Sequence, residues 1–482
     1  MLENYDKNYN YKNFKIKDLG ERLARLQRIA TSMNIATLII IDGFESSGRG
    51  YAIKKLTEKL NPKHMRVEVF NKRSEKEKIY MKKFWDAIPK YGDIKIFNRS
   101  YYFDLFNDLN IKKDELDKKL FAIENFEKAL YDDHYIIMKF FIDVTEENQK
   151  ERIDKYLDTD YTSFYVDKTD KNQNKSYQKY RNHIDEILEN TNFEKINRNI
   201  VDGKNIKNAT KEILAKSISK FEKGIERVAI KRENGIRNNR KYKEKSFILE
   251  NLDLNKKISE DEYKKNLKPL QKKANELAMK FLNDNRNIYL VFEGVDAAGK
   301  DGSIERLVKK IDPRAYTVFA ISAPDEQENS FNYLWRFYRD FTSQRKISIF
   351  SRSRYGRVMV ERVEGFANDN EWERAYDEIN NMEKEIVSSN DIVLKFFVAI
   401  DKKTQLKRFE ERENDEDKQF KITSEDWRNR EKRDLYISAM DEMLMRTNTK
   451  YAPRIVVEGN DKKYARIKVL KEFINFLNKK FN

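Results

Sequence analysis

The chain carries one long pattern twice. Gly43 and Gly294, and likewise Pro62 and Pro313, stand at one common separation. "IFNRSYY" from Ile96 pairs with "IFSRSRY" from Ile349 at a slightly larger separation. "IIMKFFIDVTEENQKER" from Ile136 pairs with "IVLKFFVAIDKKTQLKR" from Ile392 at a separation slightly larger again. Order is kept and the drift is small, as short loop insertions produce, so the sequence reads as one domain duplicated. Each copy must then bury its own core, and 482 residues at 39% hydrophobic content allow two. The expected boundaries are 1–216 and 252–482. The stretch between them, with "EKGIERVAIKRENGIRNNRKYKEKS" at its centre, is basic and nearly free of aromatics and reads as a linker over 217–251.

Within the second copy, short β-branched or aromatic runs ("NIYLVFEG", "YTVFAIS", "KISIFS", "DIVLKFFVAI", "RIVVEG") alternate with stretches of helical period such as "KDGSIERLVKKI" and "EWERAYDEINNMEKEIV". This alternation predicts an α/β fold, a parallel sheet with helices on its faces. Ligands in such sheets bind beyond the carboxyl ends of the strands.

"YLVFEGVDAAGKDG" (Tyr289–Gly302) supplies a loop at such an end. Gly294 and, after four intervening residues, Gly299 and Lys300 follow a strand and open a helix, the context a phosphate-wrapping loop requires. Glycines let successive N–H groups turn inward, the helix N-terminus adds positive potential and Lys300 brings a full charge. Ala297, Ala298, Gly302 and Ser303 complete the expected cradle. Asp301 occupies the place where a magnesium-binding hydroxyl is usual, so Asp296 is the expected metal ligand. The first copy has Glu45 for Asp296 and Arg49 for Lys300, and a planar guanidinium does not mimic a compact ammonium in a tight loop. The first copy is expected to be inactive.

Lys and Arg total 98 against 82 acidic residues, a net charge of +16 that suggests a polyanionic partner. No base-reading motif points to nucleic acid. Cysteine is absent, which excludes disulfides and thiolate metal sites. The N-terminus carries no apolar signal segment and no apolar run reaches the length of a membrane span, so a cytoplasmic protein with no membrane partner is expected.

The second copy resembles the catalytic domain of the second polyphosphate kinase family, through "FEGVDAAGKDG", "SAPDEQENSFNYLWRFYRDF", "YGRVMVERVEGFA", "WERAYDEIN", "FKITSEDWRNREKRDLY" and "MRTNTKYAP". The tandem arrangement is similar to that family's two-domain members. The resemblance implies phosphate-loop kinase domains and Mg2+-dependent transfer of a phosphoryl group from inorganic polyphosphate to AMP, giving ADP. It implies catalytic roles for Asp296, Lys300, Arg352 and Arg357, and phosphate contacts from Arg362, Arg408 and Arg412. Arg408 and Arg412 lie four apart on one helix face and match the family's lid. The first copy keeps Arg99 and Arg152 but has Asp104, Leu109 and Tyr156 at the other three arginine positions. It would then serve as the second half of a pseudo-dimer, with homodimers of the whole chain also expected.

Three departures stand out. The family's strand-end aspartate is Asn98 in one copy and Ser351 in the other, which leaves Ser351 as a weak metal ligand beside Asp296. Asp325 or Glu361 could substitute, or the chain could bind without turnover. Arg354 and Arg454 stand where the family has tryptophans.

Overall fold

The computed structural model describes residues 1–5, 11, 13–70, 78–193, 195–233, 247–341, 345–417 and 419–481. Ten strands form two five-stranded parallel sheets. The first contains β1 (Thr37–Gly43), β2 (Met65–Val69), β3 (Ile94–Asn98), β4 (Ile136–Asp143) and β5 (Arg198–Asp202), in the order β2-β3-β1-β4-β5. The second contains β6 (Ile288–Gly294), β7 (Tyr316–Ala320), β8 (Ile347–Ser351), β9 (Ile392–Ala399) and β10 (Arg454–Glu458), in the same spatial order, β7-β8-β6-β9-β10.

Register follows the sequence match residue by residue. Thr37 pairs with Ile94 and Ile136, and its counterpart Ile288 pairs with Ile347 and Ile392. The central strands β4 and β9 are buried along their whole length, as a parallel sheet covered on both faces demands. The unusual backbone angles repeat as well. Asn34, Ser46, Arg99 and His134 have positive φ in the first copy, as do Asn285, Ala297, Arg352 and Asn390 at the matching places in the second.

The expected linker is corrected at its start. Residues 217–233 continue one helix, Ile206–Glu233, which puts Ile218, Phe221 and Val228 into the first core beside Leu19, Ile39 and Met138. These apolar residues keep helical spacing inside a very basic stretch, and the charge masked the period. The centre of the expected linker, 234–246, lies outside the described residues. At its end Leu249 is buried, and its N–H donates to Asp441 at 2.9 Å. The chain divides into two compact units, Met1–Gly235 with Asp325–Arg339, and Ile236–Pro324 with Asp340–Asn482. No described helix is long and apolar enough to cross a membrane.

Candidate active site

β6 ends at Gly294, whose φ is +147° and whose missing Cβ would lie 2.2 Å from the Val398 carbonyl oxygen of β9. Only glycine lets the loop leave the sheet here. Gly294→Ala is therefore expected to cost roughly 1–3 kcal/mol or more, read as a lowered unfolding midpoint. The chain turns through Ala297 (φ +61°) and Gly299 (φ +100°) and enters the helix Lys300–Val308. Lys300 folds back over the loop, its Nζ donating to the carbonyls of Gly294 at 2.9 Å and Val295 at 3.4 Å. Burial pushes its ammonium pKa down, with Asp296 pulling the other way.

The end of β8 faces this loop. Ser351 donates its hydroxyl proton to Asp301 Oδ1 at 2.9 Å. Carboxylate and hydroxyl have thus exchanged places: the acid missing from the strand end is supplied by the first turn of the helix. Of the two substitutes expected, Asp325 caps the short helix Glu326–Asn329 and Glu361 is paired with Arg357. Asp301, read from sequence only as a missing hydroxyl, takes that place. Arg352, at φ +62°, donates its backbone N–H to Phe292 O and turns its guanidinium to Asp296 Oδ1 at 3.4 Å. Asn429 donates to the other Asp296 oxygen at 3.1 Å.

These groups line a cavity of about 550 Å³. Arg412, Lys462 and Arg466 close one side of it. Burial, together with Arg408, Arg466 and Arg412, pushes the Lys462 ammonium down, although Glu411 opposes them. Such crowding of cations favours an anion in the cavity. A more apolar slot adjoins it, bounded by Val295, Met359, Val360, Tyr436, Ile437 and Met440 and sharing Asp296, Arg352 and Asn429 with the main cavity. Sequence reasoning missed Lys462 and Arg466. Comparing the copies would have found them, because their counterparts are Ile206 and Thr210.

Of the expected phosphate contacts, Ala298, Ser303 and Arg408 line the cavity but also hold the loop itself, and Arg357 and Arg362 lie outside it. Arg408 spends both terminal nitrogens on main-chain carbonyls: Ala297 at 2.9 Å, Ala298 at 3.0 Å, Gly459 at 2.7 Å and Asn460 at 3.0 Å. It is the clasp that holds the loop against the end of β10, and Arg152 does the same in the first copy through Ser47 and Gly203. Arg357 is paired with Glu361 at 2.6 Å. Arg362 is paired with Glu442 at 2.7 Å and lies over the Trp372 ring. Neither lines the cavity. The Ser303 hydroxyl and N–H both return to Gly299 O, and the Ala298 N–H goes to Val295 O, so these serve the loop's own shape. Arg354 and Arg454 sit in the core, Arg354 bonded to Glu383 and Arg454 stacked 4.2 Å from the Tyr355 ring.

The first copy has the same loop backbone with its interior filled by its own side chains. Arg49 reaches Glu45 at 2.6 Å and Gly43 O at 3.1 Å, and Arg99 reaches the same Glu45 oxygen at 2.8 Å. Gln173 accepts the Glu45 N–H at 2.7 Å, and Asp170 accepts the Ser46 hydroxyl at 2.7 Å. Glu45 and Arg49 are both buried. An anion would have to break this set of charges to enter.

The family model described as polyphosphate kinase 2 matches residues 5–227 and again 257–481. A polyphosphate:AMP phosphotransferase of Pseudomonas aeruginosa is 34% identical over 466 residues, spanning 94% of this chain and 93% of that protein. The polyphosphate:AMP phosphotransferase of Acinetobacter johnsonii is 33% identical over 95% of each chain. A crystal structure described as a polyphosphate kinase 2 from Pseudomonas aeruginosa superposes with a TM-score of 0.83 at 32% identity, covering 99% of this chain and 97% of that one.

Proposed function

This chain belongs to the polyphosphate kinase 2 family, kinase-type phosphotransferases, and on that premise we propose that its C-terminal unit transfers the terminal phosphoryl group of inorganic polyphosphate to AMP, giving ADP. One observation carries the proposal: a cationic cavity adjoins a more apolar slot in this unit, whereas the matching loop of the first copy is filled by Glu45 and Arg49. The relatives' names support the choice of acceptor.

Polyphosphate enters along Lys462, Arg466 and Arg412, and its terminal group rests on the loop against Lys300 and Arg352. AMP places its sugar and base against Met359, Tyr436 and Met440, and its phosphate near Arg352. The acceptor oxygen is already ionised near neutral pH, so no general base is needed. Positioning and charge neutralisation perform the catalysis. Lys300 and Arg352 take up charge on the phosphoryl group as it moves.

Asp296, Asp301 and the Ser351 hydroxyl form a hard oxygen donor set. Mg2+ is commonly held by one or two carboxylates, with waters and substrate phosphates completing its shell, and these residues fit that requirement. Among the described residues no three His, Cys, Asp or Glu side chains gather to hold a metal, so substrate oxygens would finish the coordination. Bound there, the ion would neutralise phosphate charge. Asp301→Asn is expected to raise the Mg2+ concentration for half-saturation by about tenfold or more, measurable directly by Mn2+ binding as well as by rate.

The direct test incubates the purified chain with polyphosphate, AMP and Mg2+. ADP is expected, and its absence at every substrate level overturns the proposal. Arg49→Ala, which unplugs the first copy's loop, is expected to leave the rate within about twofold, because that copy lacks Lys300, Asp301, Lys462 and Arg466.

A further inference from the structure

A second basic cavity, of about 410 Å³, lies within the first unit where β4 and β5 begin, at the sheet edge opposite its phosphate-type loop. Lys195, Lys216, Lys220, Lys223 and Arg227 line it. Among the described residues the carboxylate paired with this group is Glu212, at 2.5 Å from Lys216. Lys220 is half-buried and donates to Asn197 Oδ1 at 2.9 Å. Burial, Lys223 and Lys216 together push its ammonium down to about 8. Arg227 donates to the carbonyls of Tyr131 and Tyr135 and covers the Tyr131 ring at 3.8 Å.

Most of this charge does not come with the fold. At the matching positions the second copy has Tyr451 for Lys195, Glu472 for Lys216 and Phe476 for Lys220, and keeps a lysine, Lys479, only for Lys223. The catalytic unit places a carboxylate and aromatic rings where the first unit gathers ammonium groups. Like charges gathered in one concavity favour an anion. Lysines act as point charges suited to phosphate oxygens, and Arg227 already covers one face of the Tyr131 ring, which leaves fewer aromatic faces, that of Tyr11 among them, for stacking bases.

We propose that this cavity is a second binding site for an inorganic phosphate chain, holding a stretch of polyphosphate on the copy that performs no chemistry. The identity of the ligand rests on the function proposed above, whereas the site rests on its own residues. Binding of polyphosphate of defined length to the full chain, followed by titration calorimetry, is expected to show two classes of site. Lys220→Glu with Lys223→Glu is expected to weaken one class at least about tenfold while ADP formation from short, saturating polyphosphate stays within about twofold. The milder pair Lys220→Gln and Lys223→Gln, with an unchanged melting temperature, is expected to reduce the slope of log affinity against log salt by about 1.4. Unchanged binding in variants that melt like the parent overturns the proposal, as does single-stranded RNA competing equally at physiological salt. If ADP forms and the variants bind normally, this site alone fails. If no ADP forms yet the variants lose one class of binding, the site stands and the transfer reaction fails.

Discussion

Lys300→Ala is expected to reduce kcat/KM for ADP formation on the order of a thousandfold, comparable to removing a preorganised charge from other low-dielectric sites. The ammonium lies on the loop within reach of the Gly294 and Val295 carbonyls, and burial already pushes its pKa down, so the protein holds a destabilised cation in place for an anion. Lys300→Arg is expected to be nearly as damaging. The first copy shows what a guanidinium does in this loop: Arg49 curls back to Gly43 O and seizes the acid at position 45. In the second copy the same turn would bring arginine onto Asp296, removing the proposed metal ligand and the proposed phosphate contact together. A loss below about tenfold for the alanine variant would show that phosphoryl charge is carried elsewhere.

The largest stability effect is expected at Lys395, in the middle of β9. Its Nζ is fully buried and donates to Glu383, to Tyr355 Oη at 3.2 Å and to Thr447 O at 2.7 Å. Glu383 also accepts from Arg354 and Tyr355. Burial pushes the lysine down to about 7 against the pull of Glu383. Burial alone would raise Glu383, but Lys395 and Arg354 hold its carboxyl below the usual range. Lys395→Met is expected to destabilise the C-terminal unit by about 3–5 kcal/mol, because it removes one of the two buried cations that hold Glu383 charged. Adding Glu383→Gln should deepen that loss, because it leaves the buried Arg354 guanidinium without its carboxylate. Thermal unfolding of the single and double variants checks both statements, and a single-variant loss under about 1 kcal/mol contradicts the first. The first copy repeats the arrangement with Lys139 and Glu127 at 2.7 Å, and Lys139→Met should behave alike there.

Arg354 shows why such networks escape a sequence reading. It departs from the family's tryptophan and looked like a change at the site, yet it lies in the core as a partner of Glu383, twenty-nine positions along the chain. Arg408 misled in the opposite direction: the four-residue spacing with Arg412 correctly put both on one helix face, but spacing does not say which partner each guanidinium meets. Four carbonyls, two from the loop and two from the end of β10, had claimed Arg408. Arg357 and Arg362 were likewise claimed by Glu361 and Glu442.

What the amino-acid order determined by itself is whatever repeats or is local: two copies, their alternation of strands and helices, the glycines that bend the loop, and the charge change from Lys300 to Arg49. Backbone conformation and burial period are written in neighbouring residues, so reading two copies side by side exposes them. Only the tertiary structure decided that Asp301 answers Ser351, that Lys462 and Arg466 wall the cavity, and that Glu45 seals the first loop. Apart from the local Glu45–Arg49 pair, those arrangements join residues remote in sequence, and a charged side chain of several rotatable bonds takes whichever opposite charge or carbonyl folding brings within about 3 Å.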